Sequence, residues 1–486
     1  MTRTSLRTLA LVAALLLATL PAPRARAGGF EVPDQSAVAG ATGGAGTARR
    51  DDPSAAFYNP AALADGRGFR GGLGILLAVP NISIEHLEGD METSSTVSGV
   101  SPPPHLHLSY AENEWAVGAY LGVSHGTSVS WPSAPDAWWG RFEAMSTNLL
   151  VFRAAPFFSL RLGGEHGLLR DFPDIRLSIG AHVDTARAET RRQLDFIDVE
   201  GSVHVLMWGA GVGGDASIFW QATPEFALGA SYKSRTWMRA TGDADFTVPP
   251  PFLGRAPDQH ASTELVIPDR LTFGAAWQQR EFGVFADVGW TAWSVRDRQR
   301  VDFERETTTD SDVPQNWRDT WVFRLGGEVT PIDWFHARAG LFYDMEASPP
   351  DTLGPASPDM ARFGVTLGMG FDVTREIGID ASYSYVTFIG RESTSQDAPL
   401  ARYWGDLHVV SFTARLAVDP TPEPPVVEEI VTDVRPAEPV VAPEETAPPP
   451  VVEEAPPVET PEELAPPPAT ETTTEAPAAP RRQRAR

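Results

Sequence analysis

The chain contains no cysteine, which excludes disulfides, thiolate nucleophiles, thiolate-ligated zinc and a lipid-modified N-terminal cysteine. It also lacks an apolar run of the ~20 residues that a transmembrane helix needs. The longest such run, Leu9 to Leu20, covers only about 12 residues. Positive charge is scarce: 39 Lys and Arg stand against 64 Asp and Glu, a formal net charge of −25. Nucleic acid, which demands a basic footprint, is excluded as a partner. Mean hydropathy is −0.19. A water-soluble protein would give such a value, but so would membrane-crossing strands whose apolar and polar residues alternate and average out.

What is present begins with an export signal. Arg3 and Arg7 give a basic start, the apolar run follows, and a Pro-containing stretch ends in Ala25-Arg26-Ala27. This is the order of a secretory signal peptide cleaved after Ala27, so residues 1–27 are read as leader and Gly28 as the mature start. Three regions follow. Residues 28–66 are rich in Gly, Ala and Asp with little strand character, 67–418 carry repeated short strands, and 419–486 are mostly Pro, Glu, Ala, Thr and Val. The last region holds 15 acidic and 5 basic residues and no aromatic side chain. It cannot bury enough apolar surface to offset its ordering entropy, so it is expected to be a disordered, partly polyproline II tail on the periplasmic side.

Period-two alternation dominates the middle region. Phe363, Val365, Leu367, Met369, Phe371 and Val373 fall on one face, while Arg362, Gly364, Thr366, Gly368, Gly370 and Asp372 fall on the other. The same alternation runs through 226–232, 282–290, 377–385 and 410–418. From Trp317 to Val329 the odd positions are largely apolar, which sets Trp317, Trp321 and Phe323 opposite Arg318, Thr320 and Arg324. Segments of ~9–12 residues suit membrane-crossing strands better than the ~5–6 usual in soluble domains. About fourteen can be placed, near 67–80, 103–111, 115–125, 149–162, 174–190, 202–221, 225–240, 263–279, 281–298, 316–330, 333–345, 359–373, 375–390 and 402–418. The expected fold class is all-β, a transmembrane antiparallel barrel of about fourteen strands. Closure is required because an open edge in lipid leaves backbone groups unpaired.

The mature N-terminus carries the most specific pattern. Gly29-Phe30-Glu31-Val32-Pro33-Asp34-Gln35-Ser36 leads through Gly43-Gly44-Ala45-Gly46 to Asp51-Asp52-Pro53-Ser54-Ala55-Ala56-Phe57-Tyr58-Asn59-Pro60-Ala61. It resembles the opening of the FadL/TodX family of outer-membrane channels for hydrophobic compounds, whose N-terminal hatch starts near Gly-Phe and carries Asn-Pro-Ala. Further blocks are similar in order: Trp139-Gly140-Arg141, Tyr232-Lys233-Ser234-Arg235, Ile267-Pro268-Asp269, Trp290-Thr291-Ala292-Trp293, Asn316-Trp317-Arg318, and Pro358-Asp359-Met360-Ala361-Arg362. The resemblance covers roughly residues 28–418 and implies a barrel stoppered by a hatch with Phe57, Asn59, Pro60 and Ala61 at its motif. It also implies passive uptake of hydrophobic molecules, fatty acids or aromatic hydrocarbons, with sideways release into lipid where the third strand bends. Gly122, His125 and Gly126 are the candidate bend, although the Pro-Phe-Gly often found there is missing. A further departure is the tail, since members usually end on an aromatic residue at the last strand.

Lys233, Arg235, Arg318 and Arg324 fall on the polar side of their strands and are candidate lumen partners for a substrate carboxylate, with Arg187, Arg191 and Arg192 behind them. Solvated lumen charge is the competing reading for each. Gly40–Gly46 has no preceding strand and is not a dinucleotide loop. His105 and His107 share a strand face without a convincing metal partner. No catalytic triad or ATP-binding motif is visible, so neither an enzyme nor a cofactor is expected. The expected location is the outer membrane, with lipid and the barrel assembly machinery as partners. Two alternatives keep the architecture: a general porin with an open lumen, and a structural barrel whose tail, tipped by Arg481, Arg482, Arg484 and Arg486, tethers a periplasmic envelope component.

Overall fold

A computed structural model describes residues 29–419 apart from 33, 51, 89–91, 98–102, 133–137, 170, 197–198 and 395–399. The leader with its cleavage point at Ala27, and the acidic tail, lie outside the described residues. Nineteen strands form one sheet. They are β1 (Arg67–His86), β2 (Thr93–Ser95), β3 (Pro104–Glu112), β4 (Trp115–Ser130), β5 (Ser146–Arg161), β6 (Asp174–Asp195) and β7 (Glu200–Gln221). Next come β8 (Phe226–Lys233), β9 (Thr236–Thr247), β10 (Gln259–Ile267), β11 (Arg270–Gln278), β12 (Phe282–Thr291), β13 (Arg298–Phe303) and β14 (Ser311–Pro314). The last five are β15 (Thr320–Ile332), β16 (Phe335–Asp344), β17 (Arg362–Asp372), β18 (Ile377–Glu392) and β19 (Ala401–Val418).

Every pairing is antiparallel, and β1 closes on β19 from Phe69↔Val418 to His86↔Ala401. With β8/β9, β10/β11, β12/β13 and β14/β15 each counted as one interrupted crossing, and β2 as part of a connection, the wall is a closed barrel of fourteen crossings. The connections are short at one end, as at Asn113-Glu114, Asp333-Trp334 and 279–281, and long at the other, as at 345–361. In outer-membrane barrels the short-turn end faces the periplasm.

The alternation seen in the sequence is the inside–outside alternation of the wall. On β17, Phe363, Val365, Leu367, Met369 and Phe371 are exposed on the outer face, while Thr366 is fully buried. Ten residues of a tilted strand rise ~25 Å, the height of a bilayer's apolar band. Aromatic side chains cluster at both margins of that band. Trp220, Phe226, Trp277, Phe282 and Trp334 lie by the short turns, and Tyr232, Trp321 and Phe363 lie at the far end of their strands. Such placement suits amphipathic rings at a lipid–water boundary.

Three strand readings need correction. Trp317 and Arg318 precede β15 rather than belonging to it, because Asn316 takes a left-handed conformation (φ 48°) that breaks the alternation. Trp317 is therefore buried, whereas Trp321 and Phe323 are on the outside. The candidate strand 225–240 is broken at Ser234-Arg235, and its neighbour 263–279 is broken at Pro268-Asp269. Pro268 has no N–H to give to a ladder, which fits an interruption there.

The N-terminal segment lies against the inner face. Helix α1 (Ala37–Ala41) is capped by the Ser36 hydroxyl, which accepts from Val38 N–H, and is followed by Gly43 and Gly44 at φ 69° and 80°. Helix α2 (Ala55–Tyr58) leads into a 3-10 turn over Pro60–Asp65, capped by Asn59 with Pro60 in its first turn. These elements are almost wholly buried. Inward-facing polar side chains of the wall hold them. Asp287 accepts from Gly46 N–H (3.1 Å), Thr47 N–H (3.0 Å) and the Thr47 hydroxyl (2.7 Å). Thr366 accepts from Gly43 N–H and donates to Ala41 C=O. Glycines let the two backbones touch: a Cβ on Gly326 or Gly340 would lie 2.4 Å from the Thr42–Gly43 chain.

Candidate functional site

The site forms where the strand pairing of the described residues is interrupted. Pairing of β3 with β4 stops at His105↔Gly122, and pairing of β4 with β5 slips between Val123 and His125, which makes a bulge at Ser124. Beyond it, the β4 edge facing β1 is met by the N-terminal chain. Val32 N–H donates to Ser124 C=O (3.0 Å), and Gly126 N–H donates to Phe30 C=O (2.8 Å). Pairing of β1 with β3 ends at Ile75↔Pro104, with Leu76 N–H donating to Pro103 C=O, and no described strand lies between Leu77–Val79 of β1 and Thr127–Val129 of β4. The candidate bend residues Gly122, His125 and Gly126 thus all lie at this discontinuity.

A cavity of about 560 Å³ occupies the same place. Leu76, Ala78, Pro80 and Ile82 of β1, Phe342 of β16, Val386 of β18 and Val409 of β19 line it from the lumen side. Gly126, Thr127, Ser128 and Val129 are all lining residues, as are Asn148, Leu149 and Leu150 of β5. Successive strand residues point to opposite faces, so the lining takes residues from both faces of β4. Its volume falls within the range of ~300–1,000 Å³ typical of small-molecule pockets.

Inside the barrel, polarity changes with height. On β18 the inner face runs Asp380, Ser382, Ser384, then Val386, and on β19 it runs Thr413, Ser411, then Val409. The lumen is polar around the N-terminal segment and apolar beside the gap. A uniformly wet interior is therefore not what the chain builds.

The floor is the mature N-terminus. Phe30 packs between Trp293 (centroids 4.8 Å) and Trp317 (5.9 Å), with the Arg296 guanidinium 4.9 Å from both the Phe30 and Trp317 rings. Gly29 is positioned where a Cβ would lie 2.6 Å from the Trp293 ring. Glu31 is ion-paired with Arg270. Arg362 is bound to Asp344 (2.6 Å), Arg187 to Glu189 (2.7 Å), and Asp359 accepts from Ala347 and Ser348 N–H. Burial pushes Asp359 up despite those two donors. Asp34, only 8% exposed, lines the cavity with no hydrogen bond or ion pair among the described residues. Burial raises its pKa to about 6, against the pull of Arg324 and Arg362.

The motif residues Phe57, Asn59, Pro60 and Ala61 lie lower down, all buried. Asn59 Nδ2 donates to Thr47 C=O (2.8 Å) and Ile218 C=O (3.0 Å), and its Oδ1 accepts from Ala61 N–H (3.2 Å). Pro60 C=O accepts from the Ser159 hydroxyl. Lys233 Nζ donates to Phe57 C=O (2.6 Å) and lies 4.8 Å from that ring, so a candidate lumen cation is spent on the motif itself. Arg324 is buried on the inner face beside Gly44, outside the cavity lining. Arg192 is half-buried near the far end of β6, away from the others. Two assignments are corrected. Arg318 is exposed ahead of β15, and Arg235 is exposed on the outer side, paired with Asp269 (2.6 Å). The break after Lys233 inserts residues that reverse the facing of Arg235.

His107 Nε2 contacts Gln35 C=O (2.7 Å), and His105 contacts the Thr413 hydroxyl (3.1 Å). Both histidines are thereby tied to internal polar groups. Sequence reasoning missed Asp34, the Glu31–Arg270 pair and the Trp293–Trp317–Arg296 cluster. Asp34 carried a signal, an acid only four residues after Phe30 in a stretch that must enter the barrel.

Comparison with known proteins agrees with this geometry. Residues 18–414 match the family described as outer membrane protein transport protein (OMPP1/FadL/TodX). An outer-membrane protein of Neisseria meningitidis serogroup B is 24% identical, over 76% of this chain and 89% of its own length. A Pseudomonas aeruginosa FadL homologue superposes with a TM-score of 0.68 at 20% identity, covering 80% of this chain and 99% of that one. The Pseudomonas putida toluene transporter TodX gives 0.64 at 18% identity, covering 79% and 99%. The chain belongs to the OMPP1/FadL/TodX family of outer-membrane transport proteins.

Proposed function

We propose that this protein is a passive channel that takes up hydrophobic molecules and releases them sideways into the outer membrane. The observation that carries the reading is the apolar cavity lined by residues of both faces of β4 beside its bulge at Ser124. A molecule leaving by that route passes from apolar lining to lipid without crossing water, which would cost about 0.8 kcal/mol for each CH₂ exposed. Residues 28–66 act as the hatch, a reading supported by the hydrogen bonds that the described part of the segment makes to inward-facing side chains of the wall. Hydrophobic aromatic compounds suit the cavity, in keeping with the toluene transporter and the monoaromatic hydrocarbon channel CymD among the similar structures. Flow follows the substrate gradient, with no catalytic step.

The absence of native cysteine makes a direct test available. Ala78 of β1 and Val129 of β4 both line the cavity, and a bifunctional thiol reagent joining Ala78→Cys to Val129→Cys should lock it. Uptake of labelled toluene or long-chain fatty acid by cells should fall several-fold on cross-linking and return on cleaving the linker. Uptake that ignores the lock would rule out lateral release. A large steady ion conductance from the unmodified protein would instead favour an open general porin.

A further inference from the structure

We infer that Asp34 sets the head-group specificity of the cavity, favouring hydrophobic molecules that end in an uncharged hydrogen-bond donor, such as alcohols or phenols, over carboxylates. The inference rests on the uptake reading above and narrows it.

Each arginine lining the cavity is already matched: Arg362 by Asp344 and Arg187 by Glu189. The lining acid Glu31 is matched by Arg270, and Asp359 is held by two backbone N–H groups. Asp34 is the exception among the lining acids, buried and without a hydrogen-bond donor among the described residues. Its carboxyl group lies close to α1, about 3.5 Å from where a Gly40 Cβ would be. The charges facing it are Arg324 from β15 and Arg362 from β17, with the Tyr58 phenol on its own segment. Arg324 stands behind Gly44 and does not line the cavity.

The little-exposed Asp34 carboxylate in the lining offers an acceptor without a protein donor among the described residues, and a ligand hydroxyl can donate to it. A ligand carboxylate does the reverse, since it brings a second negative charge beside the first with no free guanidinium in the lining to offset it. Hydrocarbons without a head group neither gain nor lose by this contact, and fall between the two.

The test compares three ligands of one chain length, decanol, decane and decanoate, by equilibrium dialysis against the full-length protein in detergent at pH 7.5. Decanol should bind at least ~10-fold tighter than decanoate, a difference expected from one charge repulsion plus one gained hydrogen bond. Asp34→Asn should shrink that ratio to within ~3-fold, since the amide removes the repulsion but keeps an acceptor. Decanoate binding as tightly as decanol to the unmodified protein would overturn the inference while leaving the channel standing. A ratio unchanged in Asp34→Asn would overturn the role of Asp34. Failure to bind any of the three would sink the channel reading, and this inference with it.

Discussion

Asn59 shows how much one side chain can hold when it is buried. Its amide donates to two backbone carbonyls and its oxygen caps the following turn. Asn59→Ala should leave the buried Thr47 carbonyl without this donor, at about 1–3 kcal/mol. The measurement is hydrogen exchange across residues 37–65, which should speed up while the strands stay protected. Asp34 adds a pH dependence of known sign. Burial lifts its folded pKa to about 6, above the ordinary aspartate value of 3.8, so the folded segment binds this proton more tightly than an unfolded one. The penalty is present above pH 6 and is relieved as pH falls from about 6 towards 4; it amounts to about 3 kcal/mol at most. Proteolysis of the N-terminal segment should therefore be slower at pH 5 than at pH 7.5, and Asp34→Asn should flatten the difference. At the same scale, alanine at Arg318 or Arg235 should leave uptake within about twofold, since surface substitutions usually cost little. A larger loss in an uptake assay would contradict the outward placement of both.

Among the elements, alternation made the wall legible and also limited what could be read from it. Met369 and Thr366 declared their faces in the sequence because β17 is regular from end to end. Trp317 did not, because it stands beside the left-handed turn at Asn316 and ahead of β15, where the strand's alternation does not reach. Arg235 was misassigned for the same reason, by the break after Lys233. The apolar lining was invisible for a different cause. Leu76, Val386 and Val409 face inward, and nothing local distinguishes them from their outward neighbours. Gly122, His125 and Gly126 stand beside the bulge at Ser124, but the docking of Phe30–Val32 there is a contact between remote segments. Close approach gives a prediction for the wall itself. Gly340→Leu would put a side chain where the Thr42–Gly43 backbone lies, and should displace the N-terminal segment without opening the sheet. Planar-bilayer recording should then show a steady conductance several-fold above the unmodified protein.

Across the whole molecule, two kinds of information were separate in the sequence. The family pattern and the fourteen-crossing wall came from many weak blocks in order, which no single substitution could blur. Head-group preference depends on which of a handful of buried charges lacks a partner, and that is known only once the chain is folded around them. The β1–β19 seam has a further consequence. It joins the first crossing to the last, over the whole of both strands. A pairing of such wide sequence separation is slow to form, and until it forms, two long strand edges are open to other chains. The ribosome therefore delivers the stopper long before there is a vessel to seat it in. A chain truncated anywhere ahead of β19 should be cleared or aggregate rather than survive as a leaky version of itself.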